Sequence, residues 1–166
     1  PVILDPVMIA SSGARLIEDA AVKALVEGLL PRADLLTPNA PEAAAISGRT
    51  VNTIEDAAVA ARIMGDMGAR AVLMKGGHLG GDRVIDLLFQ DGDYSKRFTD
   101  VRIDSLNTHG TGCTLASACA VGLAQGLPLE MAVGRAHGYV RAAIATAPGY
   151  GAGYGPLNHA HTVHAD

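Results

Sequence analysis

The 166-residue sequence predicts an α/β protein built on a mostly parallel sheet. Three observations carry that prediction. Short apolar runs at residues 2–4, 34–37 and 71–74 alternate with stretches whose apolar residues recur every three or four positions. Each run is closed by turn chemistry: Asp5-Pro6, Pro38, and the glycines that follow Lys75. Two further runs flank Gln90-Asp91-Gly92-Asp93 and give the chain's one antiparallel signal, a hairpin.

Residues 2–4 form the first strand. The chain begins inside an apolar run, with no initiator Met, so the expectation is that it is the later part of a longer chain and that this strand is internal or newly exposed. Residues 19–30 place Val22, Leu25, Val26 and Leu29 on one helical face, and Pro31 ends the helix. After the strand at 34–37, Asn39 opens a short helix through Ile46 that stops at Gly48. Thr53 caps the next helix, which turns Ala57, Ala60, Ala61 and Met64 inward and runs to Met67-Gly68. The strand at 71–74 leads into Lys75-Gly76-Gly77-His78, and residues 84–89 and 94–98 make the hairpin. A helix from about residue 111 to 124 is broken by Gly126 and Pro128, and another runs from 129 to about 146. Residues 148–166 read as a glycine-rich loop and a polar tail.

Composition narrows the function classes. Hydrophobic residues make up 49% and charged residues 18%, enough for one domain with a packed core. The net charge is −4 and no basic block occurs, which argues against nucleic acid as a partner. No apolar run reaches membrane-spanning length and no signal pattern opens the chain, so no membrane association is expected. Cys113 and Cys119 lie six apart in one predicted helix, on different faces, and read as thiols in a reducing, cytoplasmic compartment.

Right-handed crossovers put the exits of parallel strands along one edge, where open α/β sheets bind ligands. The residues to weigh are therefore Asp5, 37–42, 75–78 and the 107–113 loop. In Asn107-Thr-His-Gly-Thr-Gly-Cys113, Gly110 and Gly112 allow a tight turn that presents successive amides at a helix start. Such amides hold phosphate oxygens; the plain alternative is a glycine-rich loop before an alanine-rich helix. Neither a Walker A loop nor a dinucleotide fingerprint is present. Cys113 lies where a thiolate is favoured, or is a core cysteine, and Cys119 reads as core. Asn39 and Glu42 make a capping box, or Glu42 faces a Mg²⁺ through water. Asp5 shares that task or caps its own turn. Lys75, between a buried strand and two glycines, meets something anionic such as phosphate, or snorkels to water. His159, His161 and His164 lack a zinc-site framework and read as part of the polar tail.

The runs LDPVM, LLTPNAPEA, AVLMKGGH, NTHGTGCTLASA and YGPLNHAH, in this order along almost the whole chain, resemble the hydroxymethylpyrimidine/phosphomethylpyrimidine kinases of thiamine biosynthesis, within the ribokinase-like superfamily. Cysteine at the end of NTHGTGC is quite specific, since most sugar kinases of the superfamily carry aspartate there. The resemblance implies a three-layer fold with helices on both faces, of which this chain is the C-terminal portion of a single kinase domain. It also implies ATP- and Mg²⁺-dependent phosphorylation of hydroxymethylpyrimidine and then of its monophosphate, by a homo-oligomeric enzyme when whole. Carried over residue by residue, Gly110, Thr111, Gly112 and Cys113 match the anion hole and catalytic position, with Cys113 taking the proton of the substrate hydroxyl. Lys75, Gly76, Gly77, Asn39 and Thr108 match positions beside the nucleotide, and Glu42 and Asp5 match acidic positions near the metal and phosphates. Family members carry a further N-terminal stretch that meets the substrate and is not in this sequence, so this span by itself is expected to be inactive. Three other classes remain: a pyridoxal or pyridoxine kinase, a non-catalytic nucleotide-binding fragment, and a thiol hydrolase pairing Cys113 with His109.

Overall fold

A computed structural model describes residues 1–8, 16–78 and 80–163. The chain divides into two compact units, Pro1–Arg102 and Ile103–Asp166. In the first, β1 (Ile3–Leu4), β2 (Leu35–Leu36) and β3 (Ala71–Met74) run parallel, and β4 (Arg83–Gln90) and β5 (Asp93–Val101) continue the sheet antiparallel. The sheet is thus mixed, with order β1-β2-β3-β4-β5 and β1 on one edge. The predicted hairpin is there but longer than its apolar run. Asp91 (φ 53°) and Gly92 (φ 84°) both take the left-handed conformation that two-residue hairpin turns require.

The helix α1 (Asp19–Ala24) departs from the expected uniform period. It continues as a π turn over Leu25–Leu29 and a 3₁₀ turn over Leu30–Arg32, so Pro31 lies inside the last turn and does not precede it. The wider turn rotates the following residues relative to a 3.6-residue repeat. Leu29, expected inward, is 50% exposed, and Leu30 is fully buried in its place. Gly28 and Pro31, both poor helix formers, flank the change, and the Arg32 guanidinium donates to the Gly28 carbonyl at 3.0 Å.

α2 (Ala40–Ser47) begins on the predicted Asn39–Glu42 capping box, and α3 (Ile54–Asp66) begins at the predicted Thr53 cap, where the structure adds Asp56 to complete a second box. Gly48 closes α2 at φ 68°. Ala57, Ala60, Ala61 and Met64 of α3 are buried with Leu36, Val72, Leu87 and Phe89 of the sheet in one core. At the starts of β1 and β2, the Asp34 carboxylate accepts the Val2 N–H at 2.8 Å and pairs with Arg70 at 2.9 Å. The Val2 hydrogen bond, helped by Arg70, holds the Asp34 carboxyl below its ordinary value.

In the second unit α4 (Thr111–Ala124) packs on α5 (Leu129–Ala145). The buried side chains are small: Ala116, Cys119 and Gly122 with Leu115 on α4, and Ala132, Ala136 and Ala143 with Val133 and Val140 on α5. A Cβ at Gly122 would lie 2.8 Å from that of Ala132. The tail is more ordered than its polar composition predicts. Leu157 is buried, and Asn158 donates from its backbone to the Ala143 carbonyl at 3.0 Å and from its side chain to Thr146 at 3.2 Å. The Tyr139 hydroxyl donates to the His159 carbonyl, and its ring lies 4.5 Å from that of His161. Leu157, Asn158 and the Tyr139 contacts together tie this segment to α5. His164 lies outside the described residues.

Candidate functional site

The exits of β1, β2 and β3 stay bonded past the strands themselves. The Thr37 N–H donates to the Leu4 carbonyl at 3.0 Å and the Lys75 N–H to the Pro38 carbonyl at 2.9 Å. This places Asp5, Thr37 and Lys75 side by side, and the first turn of α2 adds Glu42. The Lys75 ammonium lies 2.8 Å from Asp5 Oδ1 and 3.7 Å from Glu42 Oε2, and the three side chains are 13%, 12% and 5% exposed. Lys75 therefore does not snorkel to water. Its anionic partners are the protein's own carboxylates. The fully buried Thr37 hydroxyl donates to Asp5 Oδ1 at 3.0 Å. Asp5 does not cap its turn with its side chain; the turn is closed by the Val7 N–H on the Asp5 carbonyl, at 2.9 Å.

Glu42 serves two ends at once. Its Oε2 accepts the Asn39 N–H at 2.7 Å while its own N–H donates to Asn39 Oδ1 at 2.9 Å, which is the capping box, and the same oxygen faces Lys75. Burial pushes the Glu42 carboxyl above its ordinary value, against the pull of Lys75 and the Asn39 N–H. Asp5 Oδ2 is buried and has no hydrogen-bond partner. An orphaned carboxylate oxygen beside a second carboxylate suits a hard divalent cation, which takes oxygen ligands and keeps several waters. Among the described residues no cluster of three His, Cys, Asp or Glu has metal-holding geometry. A cation here would accordingly rest on Asp5, Glu42 and water.

The other predicted residues are in the second unit. Gly110 is the N-cap of α4 at φ 83°, as the tight turn requires. The Thr108 carbonyl accepts the Thr111 hydroxyl at 2.7 Å, and the Gly110 carbonyl accepts both the Thr114 hydroxyl and its N–H, at 2.8 and 2.9 Å. These threonines secure the carbonyls of the turn. The Thr111 N–H also turns back to the Thr108 carbonyl, at 3.3 Å, and the positive end of the α4 dipole lies at this turn. Cys113, third in the helix, is exposed, and Cys119 is buried. The His109 N–H donates to the Gly155 carbonyl at 3.2 Å, and a side chain at Gly155 would overlap that of Asn107. The loop is thus shaped by residues near the end of the chain, which gives the YGPLNHAH run a structural reason.

Two contributors escape pattern reading. Thr37 is legible as a strand end, but its bond to Asp5 depends on which strands are neighbours. Asp86, 4% exposed, accepts the Gly76 N–H at 2.7 Å. A carboxylate inside the apolar run VIDLLF was the signal available for it.

The phosphomethylpyrimidine kinase family matches residues 1–158. The chain is 51% identical over 158 residues to the thiamine biosynthesis bifunctional protein ThiED of Geobacter sulfurreducens, covering 95% of this chain and 32% of that protein. It is 43% identical over 159 residues to the hydroxymethylpyrimidine/phosphomethylpyrimidine kinase of Bacillus subtilis, covering 95% of this chain and 58% of that one. Among solved structures, pyridoxal kinase from Staphylococcus aureus in complex with AMP-PCP matches with a TM-score of 0.88 and 32% identity, over 99% of this chain and 59% of that one. A phosphomethylpyrimidine kinase from Clostridium difficile matches with a TM-score of 0.67 and 34% identity, over 84% and 55%. The fold is that of the ribokinase-like kinases. This chain spans less than two thirds of the length of each of these proteins.

Proposed function

Because this chain belongs to the phosphomethylpyrimidine kinase family, we propose that the whole protein transfers the γ-phosphoryl group of ATP to hydroxymethylpyrimidine and then to its monophosphate, in thiamine biosynthesis. The observation that carries this reading is the Asp5–Lys75–Glu42 cluster at the strand exits, a preassembled set of one cation and two carboxylates. Phosphoryl transfer needs little covalent help from a protein and depends on positioning and charge stabilisation. Lys75 would meet the β- and γ-phosphates, and Asn39, Thr108, Gly76 and Gly77 would border the nucleotide. Asp5, through its unpartnered Oδ2, and Glu42 would hold a hydrated Mg²⁺. That ion, when bound, supplies neutralisation of phosphate charge. The amides from Gly110 to Cys113 would take the charge on the transferring group. Cys113 would accept the proton as the substrate oxygen bonds to phosphorus and ADP departs.

Acceptor kinetics on the Cys113→Ala variant of the whole protein test this. The rate on the alcohol should fall by about 10²–10⁴, the usual value of a positioned proton acceptor. Nucleotide affinity should hold, because the anion contacts are backbone amides. The monophosphate is already an anion at neutral pH, so its rate should fall less. Equal losses on both acceptors would mean that Cys113 shapes the site, and unchanged rates would give it no chemical role. The similarity to pyridoxal kinases supports a second reading, and pyridoxal as acceptor in the same assay decides between them. If the cluster at the strand exits meets nucleotide, ATP binding should weaken on Lys75→Met; unaltered binding would remove the basis of the proposal.

A further inference from the structure

Asp86 is a buried carboxylate to which the resemblance and the proposed mechanism assign nothing. It projects from β4 and accepts the N–H of Gly76 at 2.7 Å, a length characteristic of a charge-assisted bond. Gly76 directly follows Lys75, and on its other side the Lys75 N–H is fixed to the Pro38 carbonyl at 2.9 Å. The Lys75 main chain is thus held at both of its peptide bonds, one by a neighbouring strand exit and one by Asp86. The Gly76 position has no slack: an added Cβ would overlap the Ile85 carbonyl, whereas one at Gly77 would meet nothing within 4 Å. Beyond it, Arg102 donates to the Gly77 and Gly81 carbonyls, each at 2.9 Å, and closes the loop from the far side. A hydrogen bond from an amide to a buried carboxylate is stronger than one to a neutral acceptor, so this one resists displacement of the Gly76 amide.

We propose that Asp86 is a positioning residue for Lys75: by clamping the Gly76 amide against β4 it fixes the direction in which Lys75 leaves the sheet, and so holds the ammonium between Asp5 and Glu42. The proposal deepens the reading of Lys75 as the phosphate-facing cation, but its main test does not depend on that reading.

The test is trace acetylation of the folded protein by acetic anhydride, with each lysine's rate read by peptide mass spectrometry and the exposed Lys23 and Lys96 as internal references. Asp86→Ala removes the acceptor, and Asp86→Asn keeps an acceptor oxygen while removing the charge. The Lys75 rate relative to the references should rise about tenfold or more in Asp86→Ala, in line with the loss of a hydrogen bond to a charged group. In Asp86→Asn it should stay within about threefold of the parent, since a neutral hydrogen bond is weaker but retained. A parent-like rate in Asp86→Ala, or an equal rise in both variants, overturns the proposal. Hydrogen exchange of the amides of β2 and α3, in the same unit as Lys75, separates this from general loosening: it should not change, and a rise in exchange parallel to that of Lys75 labelling also overturns the proposal. If Asp86→Ala does not fold, Asp86→Leu, which fills a similar volume and has no acceptor, takes its place. Protection of Lys75 by AMP-PCP in the parent protein tests the phosphate reading separately, and its failure would leave the Asp86 result standing.

Discussion

Replacing Lys75 with Met is the perturbation that most directly probes the buried charge cluster. Methionine fills much of the same volume and removes only the ammonium, leaving Asp5 and Glu42 without the cation that both now face. Breaking a buried pair by removing one partner costs about 3–5 kcal/mol. Asp5 keeps its bond from Thr37 and Glu42 keeps the Asn39 N–H, so the lower end applies, about 3 kcal/mol. For a protein of this size that is a fall in Tm of roughly 6–12 °C. The pH dependence supplies the sharper criterion. Burial already raises the Glu42 carboxyl above its ordinary value of 4.5, and Lys75 is the main opposing influence. Without Lys75 the folded-state value rises further. A carboxyl raised in the folded state is protonated more readily there than in the unfolded chain, so stability falls as pH increases from about 4.5 through the folded value. The deficit of the variant should therefore be larger at pH 8 than at pH 5, as measured by urea unfolding at both. Adding Glu42→Gln, which keeps a capping oxygen, should recover part of the loss at pH 8. A cost below about 1 kcal/mol, typical of an exposed pair, or one identical at the two pH values would refute the account of the cluster.

Gly76→Ala should be severely destabilising, because the methyl group meets the backbone of β4, while Gly77→Ala should be close to neutral; thermal melts of the two compare them directly. In the second unit Gly122→Val should cost about 1–3 kcal/mol by forcing α4 off Ala132, and Gly138→Ala, with open space around it, should add up to about 1 kcal/mol, both read by urea unfolding. Thr53→Ala should lower stability by about 1 kcal/mol through loss of the α3 cap. Asp34 is held below its ordinary value of 3.8, so its contribution is present above that pH and lost as pH falls through the lower folded value; in an acid titration Asp34→Asn should flatten that part of the stability curve.

Elements whose logic is local were legible in the chain. The capping box at Asn39, the Thr53 cap, the helix stop at Gly48 and the Asp91-Gly92 turn follow from short-range chemistry, and the structure has all of them. The inward face of α3 follows from spacing, since nothing interrupts its period. Where a segment answered to distant partners, reading stopped short. The π turn buries Leu30 and leaves Leu29 half exposed, a shift that a 3.6-residue spacing does not encode. The sequence leaves Lys75 between an anionic partner and water; the anions it meets are Asp5 and Glu42, 70 and 33 residues away in sequence. Thr37 and Asp86 act through strand neighbours, and no local pattern encodes which strands will be neighbours. The tail looked polar because its single apolar anchor, Leu157, is outnumbered.

The α4–α5 pair has a consequence for how firmly the Gly110–Cys113 turn is aimed. Alanine and glycine have no rotamers to surrender when they are buried, so this interface forms with little loss of side-chain entropy. It also has few side chains able to repack into a second arrangement at similar energy. The contact is made between helix backbones drawn close at Gly122 and Ala132, and it leaves α4 little freedom to roll or slide against α5. The first turn of α4, where Thr111, Gly112 and Cys113 lie, therefore starts from a mount stiffened by what its side chains lack. Enlarging residues in that seam should broaden the range of orientations of the turn before it unfolds the helix pair.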